Sequence, residues 1–211
     1  MLYLFDLDGT LIDSEAGITG SMRYAFAQMD FAPPSAEILR TWIGPPLRVT
    51  FPTVLGDDLA LTETAIGHYR TRFDREGWAE HTVYDEMPEL ISALHAAGHQ
   101  LAIVTTKLQT QAQKIIDHSP FGSAFSHVYG PGSDGLHAGK AEFIARALAD
   151  FSVDAADATM IGDRYFDIEG ARANGVCAIG VLWGFGNREE LERAGATKIA
   201  STPQVLAALL L

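Results

Sequence analysis

Two aspartates, Asp6 and Asp8, stand where the apolar run Leu2-Tyr-Leu-Phe5 ends, and Gly9-Thr10 follows them. A strand turns successive residues to opposite faces, so a pair at its end can aim two carboxylates around one point. Crowded carboxylates repel unless a cation or a proton lies between them. Metal binding and proton transfer are therefore the chemistries open to this pair, and Gly9 supplies the tight turn beyond it. The plainer alternative is an acidic loop after a buried strand. Asp163 and Asp167 form another acidic pair after Gly162, in a Gly-Asp-x-x-x-Asp pattern that also serves as a loop-to-helix cap. Thr105 closes the apolar run that starts at Leu101.

These groups need a frame that brings the ends of separate strands together. The first strand covers about residues 2–6, and 15–28 read as a helix. Pro33-Pro34 interrupts the chain beyond that helix. Ser35 is an N-cap for a short helix through Trp42, with Glu37 in its first turn. Gly44-Pro45-Pro46 is a stiff turn into 47–55, and 60–76 are helical again. Roughly 14–82 therefore form a small helical unit without a convincing strand. Met87, Leu90, Ile91, Leu94 and Ala97 then fall at helical spacing, closed by Gly98. Strands are expected at 101–105, 127–129, 159–162 and 177–182. Helices are expected on the face Leu108, Ala112, Ile115 and Ile116, and over 143–151, 168–174, 187–194 and 203–210. Such alternation predicts an α/β fold, a Rossmann-like parallel sheet with helices on both faces. Ligands of such sheets bind at the carboxyl ends of the strands. Asp6, Thr105 and Asp163 converge there from three strands.

With 211 residues, the chain has room for one good core, or for a core plus a small inserted domain. Apolar residues make up 47% and charged residues 20%, which suits a globular protein. A net charge of −12 argues against polymeric nucleic acid or an anionic membrane as partner. It leaves room for a small anion, because a bound metal inverts local charge. Cys177 is the lone cysteine and reads as a packed strand thiol. No apolar stretch reaches the ~20 residues of a membrane span. The first residues lack the basic stretch of a secretory leader, so a cytoplasmic setting is expected.

Taken in order, Asp6-Leu-Asp8-Gly-Thr10, Val104-Thr105-Thr106, Lys140 and Gly162-Asp163-x-x-x-Asp167 resemble the motifs of haloacid dehalogenase superfamily phosphatases. The resemblance covers the whole chain. It implies a catalytic core of 1–13 and 83–211 with a helical cap at 14–82. It implies Asp6 as the nucleophile that forms an aspartyl-phosphate, and Asp8 as the general acid/base. The superfamily's dehalogenases lack the second aspartate, so Asp8 points to phosphoryl chemistry. Asp6, the main-chain carbonyl of Asp8, and Asp163 are the implied Mg²⁺ ligands, with Asp167 just beyond. Leu7, Gly9, Thr105, Thr106 and Lys140 are the implied phosphate binders. Lys107 competes with Lys140 for the lysine's role. Lys140 is preferred because Gly139 precedes it and an amphipathic helix comes directly after. Many relatives carry Lys-Pro where this chain has Lys140-Ala.

A cap must exclude water yet open for exchange, with hinges expected near Leu11–Ser14 and Glu80–Tyr84. Gly44, Pro45, Pro46 and Arg48 are the expected specificity residues. Tyr69, Arg70 and Arg72 lie on a cap helix, mostly as surface or packing residues. Gly162-Asp163-Arg164, Ile43-Gly-Pro-Pro-Leu47, Ser133-Asp-Gly135, Lys140-Ala-Glu142 and Gly184-Phe-Gly186 resemble the 5′-nucleotidase-like branch near phosphoglycolate phosphatases. Phosphoglycolate phosphatases proper more often carry Ser or Thr where Arg164 stands. Sugar-phosphate mutases carry a His near the place of Ile18, which disfavours a mutase. The expected substrate is a small phosphorylated metabolite, handled by a monomer or homodimer. A non-catalytic phosphorylation switch and a phosphotyrosine phosphatase are the other readings.

Overall fold

A computed structural model describes residues 1–132 and 139–211. The Ser133-Asp-Gly135 motif lies outside the described residues. In chain order the elements begin with β1 (Leu2–Phe5), β2 (Ile12–Asp13), α1 (Glu15–Gln28), α2 (Ala36–Thr41), α3 (Leu47–Thr50), α4 (Pro52–Leu55) and α5 (Leu59–Arg75). Next come β3 (Thr82–Val83), α6 (Met87–Ala96), β4 (Gln100–Val104), α7 (Gln109–Asp117), β5 (His127–Tyr129) and α8 (Lys140–Phe151). The chain continues through β6 (Ala158–Gly162), α9 (Tyr165–Ala173), β7 (Cys177–Val181), α10 (Arg188–Ala194), β8 (Lys198–Ala200) and α11 (Pro203–Leu210). It divides into two compact units, Met1–Ile12 with Val83–Leu211, and Asp13–Thr82.

The larger unit is a six-stranded sheet in the order β5-β4-β1-β6-β7-β8, with every ladder parallel. β1 lies inside it and is buried at all four positions, as a strand covered on both faces must be. Leu2 and Leu4 join a core with Val104, Met160, Ile144 of α8 and Ile168 of α9. The alternate residues face the other side, where the Tyr3 hydroxyl donates to the Leu210 carbonyl of α11 and Phe5 meets Phe125 edge-on. From β1 the chain runs out to β4 and β5, then returns to β6 on β1's other side. That reversal is the topological switch at which such sheets bind ligands.

Register sets the site. Phe5 pairs with Ile103 on one side and Ile161 on the other, so the next residues of all three strands emerge at one edge. The ladder runs one bond further in two places. The Asp6 N–H donates to the Ile161 carbonyl, and the Thr105 N–H to the Tyr129 carbonyl, each at 2.9 Å.

The smaller unit packs α1 against α5, with Phe26, Trp42 and Phe51 in mutual ring contact. Ser35 caps α2 by accepting the Ile38 N–H. Arg72 donates to Glu80 and to the Ser21 hydroxyl, and Tyr69 stacks on Phe73.

Five details differ from the sequence reading. The 47–55 stretch is two short helices, because Pro52 opens a new first turn. Thr82 belongs to a two-residue strand, β3, which pairs with β2. α9 starts at Tyr165, three residues before the first helical apolar position, and Cys177 is only half-buried at the mouth of β7. β8 is an addition, since Lys-Ile-Ala is too short to show a period.

Candidate active site

The Asp6–Ile12 turn is closed by its own backbone. Leu11 and Ile12 donate to the Leu7 carbonyl at 3.0 and 3.2 Å, and Gly9 donates to the Ile12 carbonyl at 2.8 Å. Gly9 sits at φ +81°, and a Cβ there would lie 2.2 Å from Asp163 Oδ2, so only glycine fits. The turn leaves Leu7 fully buried and presents Asp6 and Asp8 with 5% and 9% of their surface exposed.

Asp163 is fully buried just past β6. Thr10 Oγ1 donates to its Oδ1 at 3.3 Å and the Phe185 N–H to its Oδ2 at 2.7 Å. Asp167, on the first turn of α9, accepts the Arg164 N–H at 2.9 Å through Oδ2 and Lys140 through Oδ1. Lys140 opens α8 and is itself buried, with Nζ 2.9 Å from Asp6 Oδ1. One lysine thus touches the first and fourth motifs. Carboxylate oxygens of Asp6, Asp163 and Asp167 lie within 4.8 Å of one another.

Burial dominates the electrostatics. It lifts Asp6 from 3.8 to about 7, with Lys140 opposing the shift and Asp167 adding to it. Burial, then the charges of Asp167 and Asp6, lift Asp163 from 3.8 to about 8. Burial works against the Lys140 ammonium, yet Asp167 and Asp6 outweigh it and hold its pKa above the ordinary lysine value. Lys140 offsets one of the three carboxylates when all are ionised, and two negative charges stay uncompensated in a buried place. Asp8 Oδ1 is also buried without a hydrogen-bond partner among the described residues. An all-oxygen donor set with that charge fits a hard divalent cation.

Thr105 is buried at the end of β4, and its Oγ1 accepts the Lys107 N–H at 3.2 Å. Its own hydroxyl proton is then directed elsewhere, as a phosphate donor requires. Thr106 is half-buried beside it, ahead of α7. Lys107 Nζ sits 3.0 Å from Asp8 Oδ2, both side chains at least nine-tenths buried. Asp6, Asp8, Thr105, Lys140, Asp163 and Asp167 are therefore gathered on one edge of the larger unit.

Three participants escaped the sequence reading: the Lys107 contact to Asp8, the Thr10 hydroxyl and the Phe185 N–H. Thr10 was visible as part of its motif. The N–H of Phe185 carries no side-chain signal, since any residue but proline supplies one. In the smaller unit, Gly44 takes φ +106°, Pro45 and Pro46 lead into α3, and Arg48 donates to Glu63 at 2.9 Å.

Residues 3–181 match the family model of haloacid dehalogenase-like hydrolases. A 5′-nucleotidase of Pseudomonas aeruginosa is 42% identical over 188 residues, 89% of this chain and 85% of the relative. The tyrosine-protein kinase PtkA of Mycobacterium tuberculosis is 33% identical over 199 residues, 94% of this chain and 67% of the relative. A crystal structure from Clostridium acetobutylicum, described as a predicted phosphatase, superposes with a TM-score of 0.93 at 35% identity, covering 99% of this chain and 97% of that one. The chain belongs to the haloacid dehalogenase-like hydrolases and is a phosphatase of that family.

Proposed function

We propose that this protein is a Mg²⁺-dependent phosphomonoester hydrolase of small phosphorylated metabolites, with a 5′-nucleotide as the favoured substrate. The observation that carries the reading is the buried Asp6 carboxylate, held by Lys140 beside Asp163 and Asp167. Asp6 attacks phosphorus and the ester P–O bond breaks. Asp8 delivers a proton to the departing alkoxide oxygen, giving the free alcohol and an aspartyl-phosphate. A water then attacks the same phosphorus, Asp8 takes its proton, and the Asp6 carboxylate returns as phosphate leaves. Thr105 and Lys140 hold the transferring oxygens in line, while Leu7, Gly9 and Thr106 border the same edge. Asp6, the Asp8 main-chain carbonyl and Asp163 would hold Mg²⁺, with Asp167 beyond them. The ion supplies positive charge that lets an anionic phosphate enter an acidic site.

The helical unit is inserted directly after the Asp6–Ile12 turn, which suits a cap that selects substrates. Its Gly44-Pro45-Pro46 turn and Arg48 are the proposed selectivity elements. The name of the Pseudomonas relative favours nucleotides; phosphoglycolate is the second candidate, weakened by Arg164. The kinase relative favours one further reading, phosphoryl exchange on tyrosine.

The test is phosphate release with Mg²⁺ from 5′-nucleotides, phosphoglycolate, sugar phosphates, pyrophosphate and a tyrosine phosphopeptide side by side. Turnover of small phosphates with no turnover by Asp6→Asn is the expected result. Full activity in Asp6→Asn sinks the covalent mechanism, and a phosphopeptide preference replaces the metabolite reading.

A further inference from the structure

The segment from Trp183 to Glu190, which follows β7 and runs into the first turn of α10, lies outside every catalytic motif yet makes polar contacts with two of them. The Trp183 indole Nε1 donates to the Thr10 carbonyl at 3.1 Å, and the Thr10 hydroxyl in turn donates to Asp163 Oδ1 at 3.3 Å. Two residues on, the Phe185 N–H donates to Asp163 Oδ2 at 2.7 Å. Glu190 Oε1 then accepts Arg164 Nε at 2.8 Å and the Tyr165 N–H at 2.9 Å, which anchors the start of α9. Each oxygen of Asp163 thus carries one directed hydrogen bond, and both trace back to this segment.

Close approach makes that possible. A Cβ on Gly184 would lie 2.3 Å from the Gly9 carbonyl oxygen and 2.4 Å from Asp163 Oδ2. A Cβ on Gly186 would lie 1.9 Å from the Asp163 carbonyl oxygen. The backbone therefore lies directly on the carboxylate, where any side chain would push it aside. A carboxylate whose orientation is fixed beforehand loses little freedom on taking up an ion, and such supporting bonds govern metal affinity.

We propose that Trp183–Glu190 is a clasp that orients Asp163 and so sets the affinity of the site for its divalent cation. The inference rests on the metal-dependent function proposed for this site. Trp183, Gly184 and Phe185 are positioning residues that act through Asp163 and Thr10.

The experiment is calorimetric titration of the whole protein with Mg²⁺ alone, without substrate, alongside metal-free melting curves. Gly184→Ala is expected to bind Mg²⁺ about 10- to 100-fold more weakly than wild type, and its Cβ, meeting the Gly9 carbonyl, lowers the metal-free melting temperature as well. Trp183→Phe keeps an aromatic ring but removes the indole N–H that donates to Thr10; it too is expected to weaken Mg²⁺ binding. If Gly184→Ala does not fold, Trp183→Phe decides alone, and wild-type affinity there overturns the clasp. If Asp163→Asn loses the ion while Gly184→Ala keeps wild-type affinity, the clasp is wrong and the metal-dependent reading stands. If wild type itself takes up no Mg²⁺, that reading fails and the clasp with it.

Discussion

Lys140 and Lys107 divide the first motif between them. Lys140 meets Asp6 and Asp167, whereas Lys107 meets Asp8. Sequence alone preferred Lys140 to Lys107 for the lysine's role but gave Lys107 no contact, because a lysine's reach is not written in its neighbours. The geometry separates their roles. In the proposed mechanism, a cation beside the attacking carboxylate also lies beside the phosphoryl oxygens on which charge must be held. In the same mechanism, a cation beside the acid/base restrains the proton carrier. Lys140→Met should therefore lower kcat about 10²- to 10³-fold, the cost of removing one electrostatic donor from a transition state. Lys107→Met should cost less, with the loss greatest for substrates whose alkoxide most needs a proton. Steady-state rates on an aryl phosphate and an alkyl phosphate check both. A larger loss in Lys107→Met on the aryl ester would reverse the assignment.

β1 is the element on which the site depends, because Asp6 inherits its position from Leu2–Phe5. Leu4 is fully buried in the same core as Val104, Met160 and Ile168. Leu4→Ala should cost about 2–5 kcal/mol, as buried leucine truncations do. Urea unfolding reads it, and a cost near zero would mean that β1 is not the buried centre of the sheet. This element was legible in the sequence because a strand covered on both faces is apolar throughout and its end is marked by polar residues. Thr105 and Asp163 were legible for the same reason. β8 was not, since an edge strand of three residues carries little pattern. Nor was the start of α9, where Tyr165 and Phe166 precede the first regular apolar position and Asp167 is spent on the N-terminal bond rather than on solvent. The clasp was visible only as Gly-Phe-Gly, because its work is done by backbone atoms and by the space that glycine leaves.

At the scale of the whole molecule, the buried carboxylates make stability depend on pH and on metal together. Asp6 and Asp163 titrate near 3.8 in an unfolded chain but at about 7 and about 8 in the metal-free fold. Between those limits the native state holds more protons than the unfolded state, so its stability falls as pH rises. The fall should run from about pH 4 to about pH 8 and level off above that. In the proposed metal-bound state a divalent cation takes the place of those protons. It binds the ionised carboxylates, so the stabilisation it gives should grow over the same window, releasing protons as it binds. The overall charge of −12 also changes with pH, but it acts on the molecule with and without the ion. The difference between melting temperatures in Mg²⁺ and in a chelator removes most of that common part. That difference should widen from acid to neutral pH and then become constant. A gap that is flat across the window would mean that Asp6 and Asp163 do not exchange protons for the ion. A gap that closes with rising pH would mean that the cation binds somewhere other than between them.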